Sequence, residues 1–230
     1  MPAKKMQIAG KYTIERAIPS DLSFLGTAIF EAERAHTGRG IWDVALGQFS
    51  KEQMIEFLKR ACAEDLNSHF HISRFLVARD ISGVPAAAAC GFYYPECGLY
   101  KSLPGISQAI ANMDSNTTLE DASKLWDSLS FLEEAFPDVE YNNSWMIEAV
   151  YTDPAYRGQK LAQHILQAAI DDGLAKGHQR MLISCAVGND AALHSYTKVG
   201  FELLGTGHSE ECLKGLGSSG YHVLCKNVDV

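Results

Sequence analysis

The sequence predicts an α/β (α+β) fold, helices and strands about one sheet, and three observations carry that prediction. A β-prone run from Trp145 to Thr152 turns at Asp153-Pro154, passes Arg157-Gly158 and enters an amphipathic helix. Two further β-rich runs, Phe70 to Asp80 and Val84 to Tyr94, are joined by Ile81-Ser82-Gly83, whose residue types predict a hairpin. Near the end, Phe201 to Thr206 and Tyr221 to Val228 read as a closing antiparallel pair around the Gly/Ser-rich loop Gly215 to Gly220.

The remaining elements follow in order. Tyr12 to Arg16 alternates like a strand, and Pro19-Ser20-Asp21 then starts a helix with Leu22, Leu25, Ile29 and Ala32 at helical spacing. His36 to Asp43 interrupts it with two glycines. Ser50 with Gln53 fits a capping box, and Met54, Phe57, Leu58 and Cys62 form the inner face of a second helix. His69 and His71 form an alternating pair in an expected strand, weak evidence for a metal site; no His/Cys cluster has metal-ligand spacing, and no metal is expected. Between Glu96 and Asn143 two more helices are expected, Pro104 to Met113 and Leu119 to Phe136, the latter with Leu125, Trp126, Leu129, Leu132 and Phe136 as its stripe. In the helix after Gly158, Leu161, Ile165 and Ala169 recur beside Ala162, Leu166 and Ile170, and Lys176-Gly177 supplies a cation and a glycine for its end. Arg180 to Val187 is a short apolar run expected as a buried parallel strand. Asn189 or Asp190 caps a last helix that ends at Gly200. With no internal repeat and no linker, residues 1–230 are expected to form a single domain, with 96–143 as a helical insertion before the central strand.

Composition narrows the function. The apolar fraction is 47% and no apolar run reaches the ~18 residues of a membrane span. MPAKKMQIAGKY lacks an apolar core before a cleavage site, so no secretory signal is expected. Six scattered cysteines with no C-x-x-C then suggest free thiols in a reducing cytoplasm. Twenty basic against 28 acidic residues give a net charge of −8, which argues against nucleic acid and favours a cationic partner.

The turn from Arg157 to Ala162 is the anion site that this sequence builds. A strand feeds a basic, glycine-containing turn and a helix N-terminus, where unpaired N–H groups and the macrodipole of roughly +0.5 charge face outward. Neither G-x-x-x-x-G-K-[ST] nor G-x-G-x-x-G is present. P-x-Y-R-G-x-x-[LI]-A is present, followed by Asn189-Asp190-Ala191-Ala192, Tyr196, Lys198, Gly200 and Phe201. These linked motifs resemble the GNAT superfamily of N-acetyltransferases, specifically from about Glu148 to Phe201 and only topologically elsewhere. The resemblance implies a GNAT-like mixed, mainly antiparallel central sheet flanked by helices. It also implies acetyl-coenzyme A as cosubstrate, its pyrophosphate gripped by the turn. Lys160 departs from the pattern, standing where the family usually has its second glycine. Its N–H can still donate if its side chain swings outward.

By this resemblance Val150, Tyr151 and Thr152 of the strand, Arg157, Gly158, Gln159, Lys160, Leu161 and Ala162 of the turn, and Asn189 and Tyr196 bind the coenzyme. A backbone N–H near Val150 stabilises developing negative charge. Strand alternation places Glu148 on the face of Val150 and Thr152, where it serves as general base, directly or through water, or is a structural ion-pair partner. Tyr196 protonates the leaving thiolate or is a core tyrosine; Asn189 holds the pantetheine or only caps its helix; Arg157 grips phosphate or stiffens the turn. Cys185 is read as a buried, inert thiol. His36, Arg39 and Trp42 border the acceptor side or form a structural turn. The acidic polar side of the insertion, including Asp127, Glu133 and Glu134, is a lid that attracts a cationic amine, an oligomer contact or a solvated face. The expected activity is acetyl transfer to a small-molecule or peptide amine, with a homodimer left open; the alternative is a non-catalytic acyl-coenzyme A sensor or structural protein.

Overall fold

The computed structural model describes residues 6–8, 11–63, 68–97, 107–108, 111–112 and 125–228. Eight strands form one sheet: β1 (Met6–Ile8), β2 (Tyr12–Arg16), β3 (Phe75–Asp80), β4 (Pro85–Tyr93), β5 (Trp145–Thr152), β6 (Arg180–Ala186), β7 (Glu202–Thr206) and β8 (Tyr221–Asn227). Their order is β1-β2-β3-β4-β5-β6-β8-β7. β5 and β6 run parallel, and every other neighbouring pair is antiparallel, because the 15-residue crossover helix between β5 and β6 returns the chain to its starting side. The expected mixed, mainly antiparallel sheet is therefore present. β8 enters between β6 and β7.

Helices cover both faces. On one lie α1 (Leu22–Arg34), the short α2 (Ile41–Ala45) and α3 (Lys51–Ala63), with Leu25, Ile29, Phe30, Phe57 and Leu58 packed against Phe75, Val77 and Phe92. The capping box of α3 is formed: Ser50 N donates to Gln53 Oε1 at 2.8 Å, and Gln53 N to Ser50 Oγ at 3.3 Å. A single turn, α4 (Tyr94–Cys97), follows β4. Of the expected insertion helices, Pro104 to Met113 lies mostly outside the described residues. The second is not one helix: residues 119–124 lie outside the description, Leu125–Leu129 is a 3-10 turn, and α5 is only Leu132–Ala135.

On the opposite face lie α6 (Leu161–Ala175) and α7 (Asp190–Lys198). Leu161, Ile165, Leu166, Ala169 and Ile170 are buried against Ile147, Ile183 and Leu224, each large side chain contributing roughly 1.5–3 kcal/mol. α6 approaches the sheet closely at Gly173, where an added Cβ would stand 2.7 Å from the Trp145 ring.

Two local expectations need correction. β3 begins at Phe75 and not at Phe70, so His69 and His71 are not strand neighbours: His69 is in a turn and His71 caps a 3-10 turn (Ile72–Arg74). Arg74 Nε donates to the Ser68 carbonyl at 3.1 Å and His71 Nδ1 accepts from Ser73 N at 3.4 Å, giving this segment local partners in place of the ladder. The loop between β7 and β8 holds a helix, α8 (Glu210–Leu216), capped by Ser209 Oγ at 3.3 Å from Cys212 N and ended by Gly217 at φ 76°. Ser209 and Gly217 were the available sequence signals for it.

Candidate active site

The site is built around an irregularity in β5. Cys90 pairs with Glu148 and Ala88 with Tyr151, so Ala149 and Val150 together stand opposite Ala89. Ala149 has φ 50°, a left-handed conformation that costs a non-glycine residue roughly 1–2 kcal/mol. This bulge overturns the expected alternation, because one extra residue reverses the facing of everything beyond it. Glu148 lies on the α1 face, with its partner Cys90 in that core; Val150 packs on the α6 face, and Thr152 pairs there with Ala87. β5 also leaves β6 at this point, since pairing stops at Ile147–Ile183. The diverging strands open a cleft.

Two cavities share that cleft, with Ala32, Ala35, Val150, Asn189, Ala192 and Tyr196 lining both. The outer one, about 580 Å³, is bordered by Val150, Tyr151, Thr152, Arg157, Gly158, Lys160, Leu161 and Ala162. It suits an extended phosphorylated ligand. α6 presents its unpaired first N–H groups, and among the described residues the exposed Arg157 has no ion pair and the buried Thr152 hydroxyl no hydrogen-bond partner. Gly158 has φ 77° and open space where a Cβ would stand. Lys160 adopts φ 60°, the backbone that glycine takes without strain, and its side chain is exposed. Gln159 borders neither cavity; its Oε1 accepts from Tyr12 Oη at 2.6 Å. Tyr156 Oη donates to Asp80 Oδ2 at 2.9 Å, so the turn is tethered at two points to the β2–β3 side.

The inner cavity, about 190 Å³, brings Glu148 and Tyr196 together with Glu33 of α1, His69, Cys185 and Tyr221. Burial, reinforced by Glu33, pushes the Glu148 carboxyl up to about 8, and burial raises Glu33 to about 7. His69 Nε2 is 3.5 Å from Glu148 Oε2, yet burial, assisted by Arg74, holds the imidazole down at about 3, hence neutral. The His69 ring lies 3.9 Å from that of Phe70 and 5.2 Å from that of Phe92. Burial, then Cys185 and Glu33, raises the Tyr196 phenol well above its ordinary range. Burial raises the Cys185 thiol to about 11, which leaves it protonated and a poor nucleophile. Asn189 does cap α7, its Oδ1 accepting from Ala192 N at 3.2 Å, and it also lines both cavities. Such a site can deprotonate a group at Glu148 and return a proton at Tyr196.

Residues 122–201 match the model of the acetyltransferase (GNAT) family, a span that includes the bulged strand, the turn, α6 and α7. That match and the shared fold support a GNAT superfamily acetyltransferase. Solved structures agree on the fold. An N-acetyltransferase from Staphylococcus aureus Mu50 aligns with 19% identity over 93% of this chain and 99% of its own, at a TM-score of 0.63. A GCN5-related N-acetyltransferase from Kribbella flavida aligns with 14% identity over 94% and 98%, at 0.55. The yncA protein of Salmonella typhimurium, solved with its cofactor acetyl-CoA, aligns with 14% identity over 95% of each chain, at 0.51. No curated protein matches the sequence.

Within this GNAT frame the sequence reading missed Glu33, His69, Phe136 and Tyr221 as cavity residues. None belongs to a local motif; each arrives from a distant element. Trp42 lines the inner cavity and His36 the outer one, whereas Arg39 borders neither. From the insertion, Leu132 and Phe136 reach the inner wall, while Asp127, Glu133 and Glu134 are exposed. Among the described residues no helix is long and apolar enough to cross a membrane, and no His, Cys, Asp or Glu side chains cluster as metal ligands would.

Proposed function

We propose that this GNAT acetyltransferase moves the acetyl group of acetyl-coenzyme A to a primary amine by direct attack. The observation that carries the reading is the shared wall between the two cavities: Glu148 and Tyr196 meet in the inner one, and Tyr196 also faces the outer one beside the Arg157 turn. Arg157, Gly158 and the N–H groups of Lys160, Leu161 and Ala162 hold the pyrophosphate. Val150 and Thr152 align the pantetheine arm as a neighbouring strand would, and Asn189 offers its amide group to the same arm.

Acetyl-coenzyme A supplies the activated thioester. Glu148 takes the proton of the attacking ammonium, directly or through one water, and a carboxyl titrating at about 8 matches that task near neutral pH. The bulge interrupts the β4–β5 register at Ala149-Val150, which supports a backbone N–H near Val150 as the donor to the developing oxyanion. Tyr196 returns a proton to the departing thiolate. Burial, then Cys185 and Glu33, raises its phenol, so the hydroxyl keeps its proton until a thiolate develops beside it.

The chain works as one domain with 96–143 inserted in a cytoplasmic enzyme, and the net charge of −8 argues against a nucleic-acid partner. The test is release of free thiol from acetyl-coenzyme A against a panel of amines. Coenzyme binding with no amine-dependent thiol release across the panel leaves a non-catalytic binder as the surviving reading.

A further inference from the structure

We infer that Glu33 is the residue that selects the acceptor, and that the acceptor class is a compact primary amine bearing an apolar body and no carboxylate. This rests on the proposed amine-acetylating function. Glu33 sits near the end of α1 between two residues whose charges are spent elsewhere. Glu31 takes Lys51 Nζ at 2.6 Å, and Arg34 donates to both oxygens of Asp43 at 2.9 and 2.7 Å. Glu33 has no hydrogen bond or ion pair among the described residues and faces the inner cavity together with Glu148. Two carboxyl groups within Coulombic reach of each other, with only a neutral imidazole beside them, leave that cavity without a cation of its own. An incoming ammonium supplies it.

The rest of the lining describes the body behind that ammonium. Trp42, Phe70, Phe136 and Tyr221 form aromatic walls, which favour both apolar groups and a cation over a ring face. The cavity of about 190 Å³ has room for on the order of six waters, hence for one small side-chain-sized group. An α-amino acid would bring its own carboxylate into a space that has two carboxyl groups and no Lys or Arg among its lining residues, so charge repulsion selects against it. Glu148 and Glu33 then divide the work. Glu148, beside the bulge, accepts the proton, and Glu33 holds the cation before transfer.

The test compares matched pairs at saturating acetyl-coenzyme A and fixed ionic strength: isopentylamine against leucine, and 2-phenylethylamine against phenylalanine. The native protein should prefer each amine over its amino acid by at least about tenfold in kcat/KM, which corresponds to about 1.4 kcal/mol. Glu33→Gln should raise KM for the amines several-fold with a smaller change in kcat, and Glu33→Asp should restore part of the loss. Calorimetric affinity for coenzyme A should be unchanged in both variants. Equal or better use of the amino acids by the native protein overturns the inference, with no variant needed. So does an unchanged KM in a Glu33→Gln protein that still binds coenzyme A. If no amine releases thiol, the proposed function itself fails, which is distinguishable from acetylation that is indifferent to Glu33.

Discussion

His69 Nε2 lies 3.5 Å from Glu148 Oε2, a buried neutral imidazole facing a carboxyl that prefers its proton near neutral pH. Because the imidazole carries no charge, it does not lower the carboxyl's pKa as an imidazolium would. Burial and the neighbouring Glu33 set it at about 8.

A pH–rate consequence follows. A base must be ionised to act, so kcat/KM should fall as pH drops through about 8, and Glu148→Gln should lose that limb together with most of the rate. Glu33→Gln removes the second cause of the raised value, so the limb should move to lower pH. The same amine serves for all three proteins, so its own titration cancels in the comparison.

Stability should respond to the same groups with opposite signs. The folded pKa of His69 is depressed from 6.5 to about 3, so its contribution is present above 6.5 and is lost as pH falls towards 3. Glu148 is raised from 4.5 to about 8, so its contribution is present below 4.5 and is lost as pH rises through 8. The Tm difference between the native protein and Glu148→Gln should therefore move against the native protein from pH 5 to 9. The difference from His69→Gln should move the same way from pH 7 to 4. Thermal scans of the unliganded proteins measure both.

Gly158→Val should weaken coenzyme A binding by about tenfold or more. Apart from its own backbone and its chain neighbours, no atom of the described residues lies within 4 Å of the new Cβ, so the cost comes from φ 77° and from space the ligand needs. Titration calorimetry reads the loss. Lys160→Gly, which relieves φ 60° and removes one exposed cation, should stabilise the apoprotein while weakening binding at low salt.

Neutralising Asp127, Glu133 and Glu134 together should leave the acceptor KM unchanged at any ionic strength, because these side chains are exposed and none lines the inner cavity. Phe136→Ala should instead raise that KM. Its ring stacks on Tyr221 at 4.3 Å, and both line the cavity wall.

Tyr196→Phe should lower kcat by about 10²–10⁴-fold and leave coenzyme affinity nearly intact. The ring stays packed near Phe201, and the hydroxyl has no hydrogen-bond partner among the described residues whose loss would disturb the fold. A poorly reactive amine at saturating acetyl-coenzyme A is the informative substrate; full kcat there would assign this tyrosine to packing.

The sequence by itself determined what depends on residues close together in the chain. The stripe of α6, its end at Lys176-Gly177, the capping box at Ser50 and the turn that leads into α6 were all legible, because periodicity and capping are local rules. Tertiary structure decided the rest. The bulge at Ala149-Val150 exists only relative to β4, so no alternation count within β5 could reveal that Glu148 and Val150 face opposite ways. Glu33, His69 and Tyr221 lie far apart in sequence and meet only because α1, the turn before β3 and β8 converge on the mouth between β5 and β6. The character of the inner cavity therefore belongs to packing, since burial and the approach of two distant carboxyl groups are properties that no segment has alone.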